Sequence, residues 1–235
     1  MKKYIVRIKR GRVFEWLKSI FRLFKKKPQI ILPNHPLEDK AIYVANHSGA
    51  SGPLTFELFF PKYFIPWGTH EMCGNYKMRW NYLYHVFYRQ KLHYSKPKAF
   101  FLATTFGVIS KCLYSSTGLI GTYKDVRLKH TFNNSIEVLN KNIPLLIFPE
   151  DSTDGYIDKP TGFFNGFIAL AKQYHKRTNI DLPIYNVYYS KKKNKIIIDK
   201  PLHVIRLLKQ GLTEQQISNL FLSNAHAMFE QHIAN

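Results

Sequence analysis

Within the first 27 residues apolar side chains recur at Val13, Leu17, Ile20 and Phe24, spaced four, three and four apart. Phe14, Trp16 and Phe21 widen that stripe, while Lys18, Arg22 and Glu15 fall on the opposite side at about 100° per residue. The pattern predicts an amphipathic helix, and prolines 28, 33 and 36 end it in a linker over 28–40. From residue 41 onward, short apolar runs alternate with helical spacing. Strands are predicted at 41–45, 118–123, 144–148, 183–189 and 195–199, the last two joined by a lysine-rich turn at 190–195. Helices are predicted over 53–60, with Pro53 in its first turn, and over 99–114, 126–141 and 164–177. A final helix runs from the capping box Thr213-Glu-Gln-Gln216 to about Ile233. Strands alternating with helices predict an α/β fold: a mainly parallel mixed sheet flanked by helices, preceded by the basic amphipathic helix. The chain so divides into a helix over 1–27, a linker over 28–40 and an α/β domain over 41–235.

Charge changes the reading of the first helix. The chain carries +20, and residues 1–27 supply +10 of it, through Lys2, Lys3, Arg7 and eight further basic residues opposed only by Glu15. A basic amphipathic helix rich in aromatic residues is the type that lies in a membrane interface. Val13, Trp16, Leu17, Lys18, Ile20, Phe21, Arg22 and Phe24 are its candidate membrane-binding residues, and an anionic bilayer surface is the expected partner. The alternative is a helix whose apolar face packs on its own domain. The 99–110 run ends at Lys111, too short to span a bilayer easily, and the N-terminus has no apolar core or cleavage site of a secretory signal. Two cysteines show neither a disulfide framework nor metal-ligand spacing, which fits a reducing compartment; no metal is expected. The segment Tyr76–Tyr94, rich in aromatic and basic residues, reads as an aromatic wall or core ahead of a base-stacking surface, so no nucleic acid is expected.

Three polar segments follow predicted strands, where ligands of α/β sheets bind. The first is Asn46-His47-Ser-Gly-Ala-Ser51-Gly52, whose histidine is a candidate base, unlike His35 in the proline-rich linker. The second is Gly118-Leu-Ile-Gly-Thr-Tyr-Lys124, which puts a cation past a strand. The third is Phe148-Pro149-Glu150-Asp151-Ser152-Thr153, whose Asp151 or Ser152 alone reads equally well as a helix N-cap.

Together with Asp181-Leu-Pro-Ile-Tyr-Asn-Val187 these segments, in this order and over about residues 40–200, resemble the glycerolipid acyltransferases of the lysophosphatidic-acid type. The resemblance implies transfer of a fatty acyl group from acyl-CoA or acyl-carrier protein to a hydroxyl of a lysophospholipid, with no other cofactor, at the cytoplasmic face of a membrane. It implies His47 as general base, and Asn46, Ser51, Gly118, Lys124, Phe148, Pro149, Glu150, Asp151 and Ser152 as substrate-binding residues. The chain departs from the family pattern at three places. Gly52 stands where the family has the acid that orients the histidine, Asp151 replaces a glycine and Thr153 replaces a phosphate-binding arginine. Ser51, a backbone carbonyl, Glu57, Glu71 and Asp151 are the candidates to orient His47 instead. An acyltransferase-like protein with impaired activity and a basic nucleic-acid-binding module are the alternative readings.

Overall fold

The computed structural model describes residues 8–49, 51–153 and 155–233; the expected charges Lys2, Lys3 and Arg7 lie outside them. The fold is mixed α/β, a seven-stranded sheet flanked by helices. Helix α1 (Arg12–Phe24) is followed by strands β1 (Gln29–Ile31) and β2 (Ile42–Ala45), helix α2 (Ser51–Phe59) and strand β3 (Ile65–Thr69). A 3₁₀ turn (His70–Cys73), helix α3 (Tyr76–Asn81) and a π-helical stretch (Tyr82–Lys91) lead to the long helix α4 (Lys96–Thr117). Then come β4 (Ile120–Thr122), α5 (Leu128–Leu139), β5 (Leu145–Ile147), α6 (Gly166–Thr178), the hairpin β6 (Pro183–Ser190) and β7 (Lys195–His203), α7 (Val204–Lys209) and α8 (Glu214–His232). The predicted capping box forms at the start of α8, where the Thr213 hydroxyl accepts from Gln216 N and Thr213 N donates to Gln216 Oε1 at 2.8 Å.

The strand order is β1-β7-β6-β2-β5-β3-β4. Five strands, from β6 to β4, run parallel; β7 is antiparallel to β6, and β1 pairs in parallel with β7. Strand β2 lies between β5 and β6 and is buried at every residue, as a parallel strand covered on both faces must be. Its side chains alternate between two cores. Ile42 and Val44 join the cluster under α5, α6 and α8, which includes Phe167, Tyr174 and Phe221. Tyr43 and Ala45 join the opposite one with Phe56, Tyr185 and Tyr189. A third cluster fills the space between the π-helical stretch and α4.

Helix α3, the π-helical stretch and α7 are absent from the predicted elements, and three further features differ from expectation. The segment read as a linker contributes β1, which adds an edge strand through Gln29↔Lys195 and Ile31↔Ile197. Strand β3 arises from Ile-Pro-Trp-Gly-Thr, whose Pro66 and Gly68 mask a strand pattern. No helix is capped by Asp151 or Ser152: Asp151 Oδ1 accepts from Thr153 N (3.1 Å) and Thr153 Oγ1 (2.7 Å), closing an Asx turn, and α6 begins only at Gly166. Among the described residues no helix is long and apolar enough to cross a membrane.

Candidate active site

The register Val44↔Ile147 between β2 and β5 determines the geometry of the site. His47 and Glu150 each lie three residues beyond that pair, at the carboxyl ends of adjacent parallel strands. The two segments are tied together by the His47 backbone N–H, which donates to Glu150 Oε2 at 2.7 Å. Asn46 prolongs the sheet on the other side: its amide donates to Tyr189 O (3.0 Å) and accepts from Tyr189 N (2.7 Å), replacing the next rung of the β2–β6 ladder. Asn46 is thus turned into the sheet, and it positions the strand end that delivers His47.

The His47 ring is enclosed by aromatic side chains. Tyr156 stacks on it at 4.5 Å between centroids with an interplanar angle of 16°, and Phe148 meets it edge-on at 5.0 Å. Its Nδ1 is buried and has no hydrogen-bond partner among the described residues. Burial, then the nearby positive charge of Lys91, push its pKa down to about 3, against an opposing contact with the Gly49 backbone. The imidazole is therefore neutral at neutral pH. Glu150 is shifted the other way: burial raises its carboxyl to about 7, although the His47 N–H and the charge of Lys91 favour ionisation. Its second oxygen, Oε1, is buried and unpartnered among the described residues.

None of the four side chains considered as orienters of His47 meets its ring. Ser51 Oγ lies 3.1 Å from the Tyr189 hydroxyl and accepts from Lys25 Nζ at 3.3 Å. Glu57 pairs with Arg10 (2.8 Å) and Lys18 (3.1 Å), Glu71 with His70 (3.1 Å), and Asp151 holds its own turn. Nor does Gly52 leave room for an acid. A Cβ built there falls 2.0 Å from the His47 carbonyl oxygen, so the start of α2 rests directly on the His47 backbone.

The remaining predicted residues are placed as follows. Gly118 takes the left-handed conformation (φ 67°) that ends α4, a backbone duty that glycine performs without strain. Lys124 is exposed just beyond β4, where its charge acts on Lys91 and Asp151. Pro149 is buried, and Phe148 contacts Phe56 as well as His47. Ser152 is buried and accepts from Lys91 Nζ at 2.6 Å.

Two site residues escaped the sequence reading, Lys91 and Tyr156. Lys91 comes from the end of the π-helical stretch and lies 5.3 Å over the Tyr156 ring. Neighbouring Gln90 donates to Thr153 O at 3.2 Å, so the stretch is clamped to the loop after β5. Only the aromatic and basic composition of 76–94 marked this segment.

A cavity of about 420 Å³ opens from the site and is lined by His47, Phe148, Tyr156, Trp67, Tyr82 and Tyr88, among other largely apolar residues. It runs to α1, whose Phe14, Leu17, Lys18 and Phe21 form part of its wall. Helix α1 is docked on the edge of its apolar stripe rather than its centre. Phe14 is buried, whereas Val13, Trp16 and Phe24 face solvent, Phe24 at 84% exposure. Lys18 and Arg22, expected opposite the apolar stripe and as membrane-binding residues, face α2: Lys18 pairs with Glu57, and Arg22 Nε donates to Leu58 O at 2.9 Å. Leu17 and Ile20 are half-buried.

A mainly parallel α/β sheet with a histidine and a glutamate at adjacent strand ends, opening on an apolar cavity, defines the class of architecture. No family model and no curated protein matches this chain. Among solved structures, the crystal structure of the 1-acyl-sn-glycerophosphate (LPA) acyltransferase PlsC from Thermotoga maritima is similar to it over 95% of this chain and 81% of that one. The TM-score is 0.51 and the sequence identity 14%, a likeness of fold.

Proposed function

We propose that this protein is an O-acyltransferase working at a membrane surface, with an acyl thioester of CoA or acyl-carrier protein as donor and a lysophospholipid hydroxyl as acceptor. The observation that carries the reading is the His47 imidazole, held at a strand end at the head of an apolar cavity. Its volume falls in the usual range of small-ligand pockets, ~300–1,000 Å³, and it suits a fatty chain whose reacting carbon lies beside the ring. His47 removes the acceptor's proton as its oxygen attacks the thioester carbonyl. The C–O bond forms, the C–S bond breaks, and the proton passes to the departing thiolate. Glu150 holds the His47 backbone, and Lys91, whose charge acts on His47 and Glu150, supplies positive charge for an anionic acceptor together with Lys124. No metal or further cofactor enters this scheme. The exposed apolar arc of α1 suits a peripheral or monotopic position on the cytoplasmic face.

One observation favours a second reading, an acyltransferase-like lipid-binding protein of low activity: no carboxylate among the described residues meets the His47 ring and its Nδ1 is unpartnered, leaving only the Gly49 backbone contact, and loss of an orienting acid is worth on the order of 10⁴ in rate in serine-protease triads. Purified protein given acyl-CoA or acyl-carrier-protein thioesters and a panel of lysolipids separates the two. Acceptor-dependent thiol release that falls at least ~100-fold in His47→Ala supports transfer. Chain binding without thiol release from any pair supports the second reading.

A further inference from the structure

Six lysines remote in sequence meet at one corner of the protein. Asn194, in the turn of the β6–β7 hairpin, takes a left-handed conformation (φ 49°) and donates its amide to the carbonyls of Lys27 (3.0 Å) and Lys26 (3.5 Å). Gln29 N donates back to Asn194 O at 3.0 Å, and the β1–β7 ladder continues the joint through Gln29↔Lys195. The turn Lys191-Lys192-Lys193 is thereby held against Lys25-Lys26-Lys27. Lys25 registers the crowding: burial first, then the charge of Lys191, hold its ammonium below the ordinary lysine value. All but Lys25 are exposed, and Lys25, Lys26, Lys27, Lys191 and Lys192 enter no ion pair among the described residues.

A solvated hairpin needs only its own turn; it does not need a second lysine run fastened beside it. Collecting like charges costs free energy unless an anion neutralises them. The corner is also continuous with apolar surface. Leu23 and Phe24 precede Lys25 directly and are more than four-fifths exposed, and Trp16 and Val13 extend the same arc. An acidic protein or a nucleic acid would answer the charge and leave the apolar arc unexplained. An anionic bilayer answers both, since lysines reach phosphates while neighbouring apolar side chains enter the acyl boundary.

We infer that the Lys25–Lys27 and Lys191–Lys193 corner is a headgroup-binding site for anionic phospholipid, and that it sets the orientation of the protein on the membrane. This deepens the membrane-surface reading above and rests on it, but its test does not use acyl transfer. Lys25 also reaches Ser51, at the start of α2 and four residues past His47, so a headgroup bound here adjoins the segment that carries the histidine.

The test is co-sedimentation of the full chain with vesicles of phosphatidylcholine alone and with vesicles that also contain phosphatidylglycerol. The variant K191E/K192E/K193E is compared with K129E/K141E/K176E, which changes the net charge equally at exposed positions elsewhere. At about 1 kcal/mol per cation near an anionic surface, the hairpin variant loses on the order of 100-fold in partitioning to phosphatidylglycerol vesicles, and the control variant far less. K191A/K192A, a milder change, loses about 30-fold and guards against misfolding of the triple variant, with thermal melts run alongside. Unchanged partitioning of the hairpin variants, or an equal loss in the control, overturns the proposal. So does equal wild-type binding to pure phosphatidylcholine vesicles, release by inorganic phosphate at the lipid's own concentration, or loss of oligonucleotide binding with vesicle binding intact. Thiol release with a detergent-dispersed acceptor is unchanged in the hairpin variants, which keeps a failure of this site distinct from a failure of the acyltransferase reading.

Discussion

Gly52 and Glu150 are the two residues at which local physics constrains the site most sharply. With the His47 carbonyl 2.0 Å from where a Cβ would stand, any side chain at position 52 must displace backbone, not a flexible neighbour. Gly52→Ala is expected to destabilise the protein by about 3 kcal/mol, the upper end for overpacked sites, a drop of roughly 6–12 °C in Tm for a domain of this size. Gly52→Asp, which would restore the residue that the acyltransferase pattern carries there, lowers stability further instead of improving the histidine. An unaltered melting curve for Gly52→Ala would show that the turn is shaped differently. Glu150 makes stability depend on pH. Its folded pKa of about 7 lies above its ordinary value of 4.5, so its contribution is fully present below pH 4.5 and is lost as pH rises through 7. His47 opposes it: with a folded pKa of about 3 against 6.5, its contribution is complete above pH 6.5 and is lost as pH falls toward 3. Glu150→Gln removes the first dependence while still accepting from the His47 N–H. Between pH 4.5 and 8 the variant should gain on wild type by up to about 3 kcal/mol, read as diverging plots of Tm against pH; parallel plots would mean that Glu150 titrates normally.

At the scale of elements, the joint between α1 and the body is mainly polar. Arg10 grips both Glu57 oxygens (2.9 and 2.8 Å) and the Phe64 carbonyl (2.9 Å), with its side chain only 3% exposed. Removing one member of a buried pair strands the other, at about 3–5 kcal/mol. In Glu57→Ala that cost is relieved by release of α1 rather than by unfolding of the sheet. Limited proteolysis should then cut within 12–24 while the remainder resists; cleavage no faster than in wild type would place the strength of the joint in Phe14 and its apolar neighbours. How far the elements are legible in sequence follows from burial. Strands β2 and β5 are covered on both faces, so they read as unbroken apolar runs, and the polar residues just beyond them, His47 and Glu150, stand out as site candidates; β6 reads as a strand despite the buried Asn186 in its middle. Strand β3 does not, because it changes partners midway: Ile65 and Pro66 pair with β5, and Trp67 to Thr69 with β4, which accommodates a proline and a glycine. The three residues of β1 are ordered by pairing with β7, which no local signal announces. Lys91 and Tyr156 reach His47 only through packing of the π-helical stretch on the loop after β5, and neither carries a pattern of its own. The inward turn of Lys18 and Arg22 escaped periodicity for the same reason, since a helical wheel shows which residues share a side but not which side the body takes.

For the whole molecule, the exposed arc of α1 and the lysine corner lie on one continuous surface, and their contributions should separate experimentally. Trp16→Ser with Phe24→Ser removes exposed apolar area, 63% and 84% exposed respectively, and leaves the body untouched. Vesicle partitioning should fall by at least tenfold at about 25 cal/mol per Å² of lost apolar burial, with Tm unchanged and with the loss insensitive to salt, unlike that of the lysine variants. A fall in Tm would mean that these side chains pack on the domain. The strand order has a further consequence, in time. Strand β2 pairs with β5 through Ile42↔Leu145 and with β6 through Ile42↔Ile184, so both partners of the central strand follow it by more than a hundred residues. At ~5–20 residues per second of synthesis, β2 is exposed for roughly 5–30 s before its second neighbour has been made. During that interval the nascent chain displays an apolar strand with at least one edge unpaired, and its yield in a cell depends on what shields that edge until β6 leaves the ribosome.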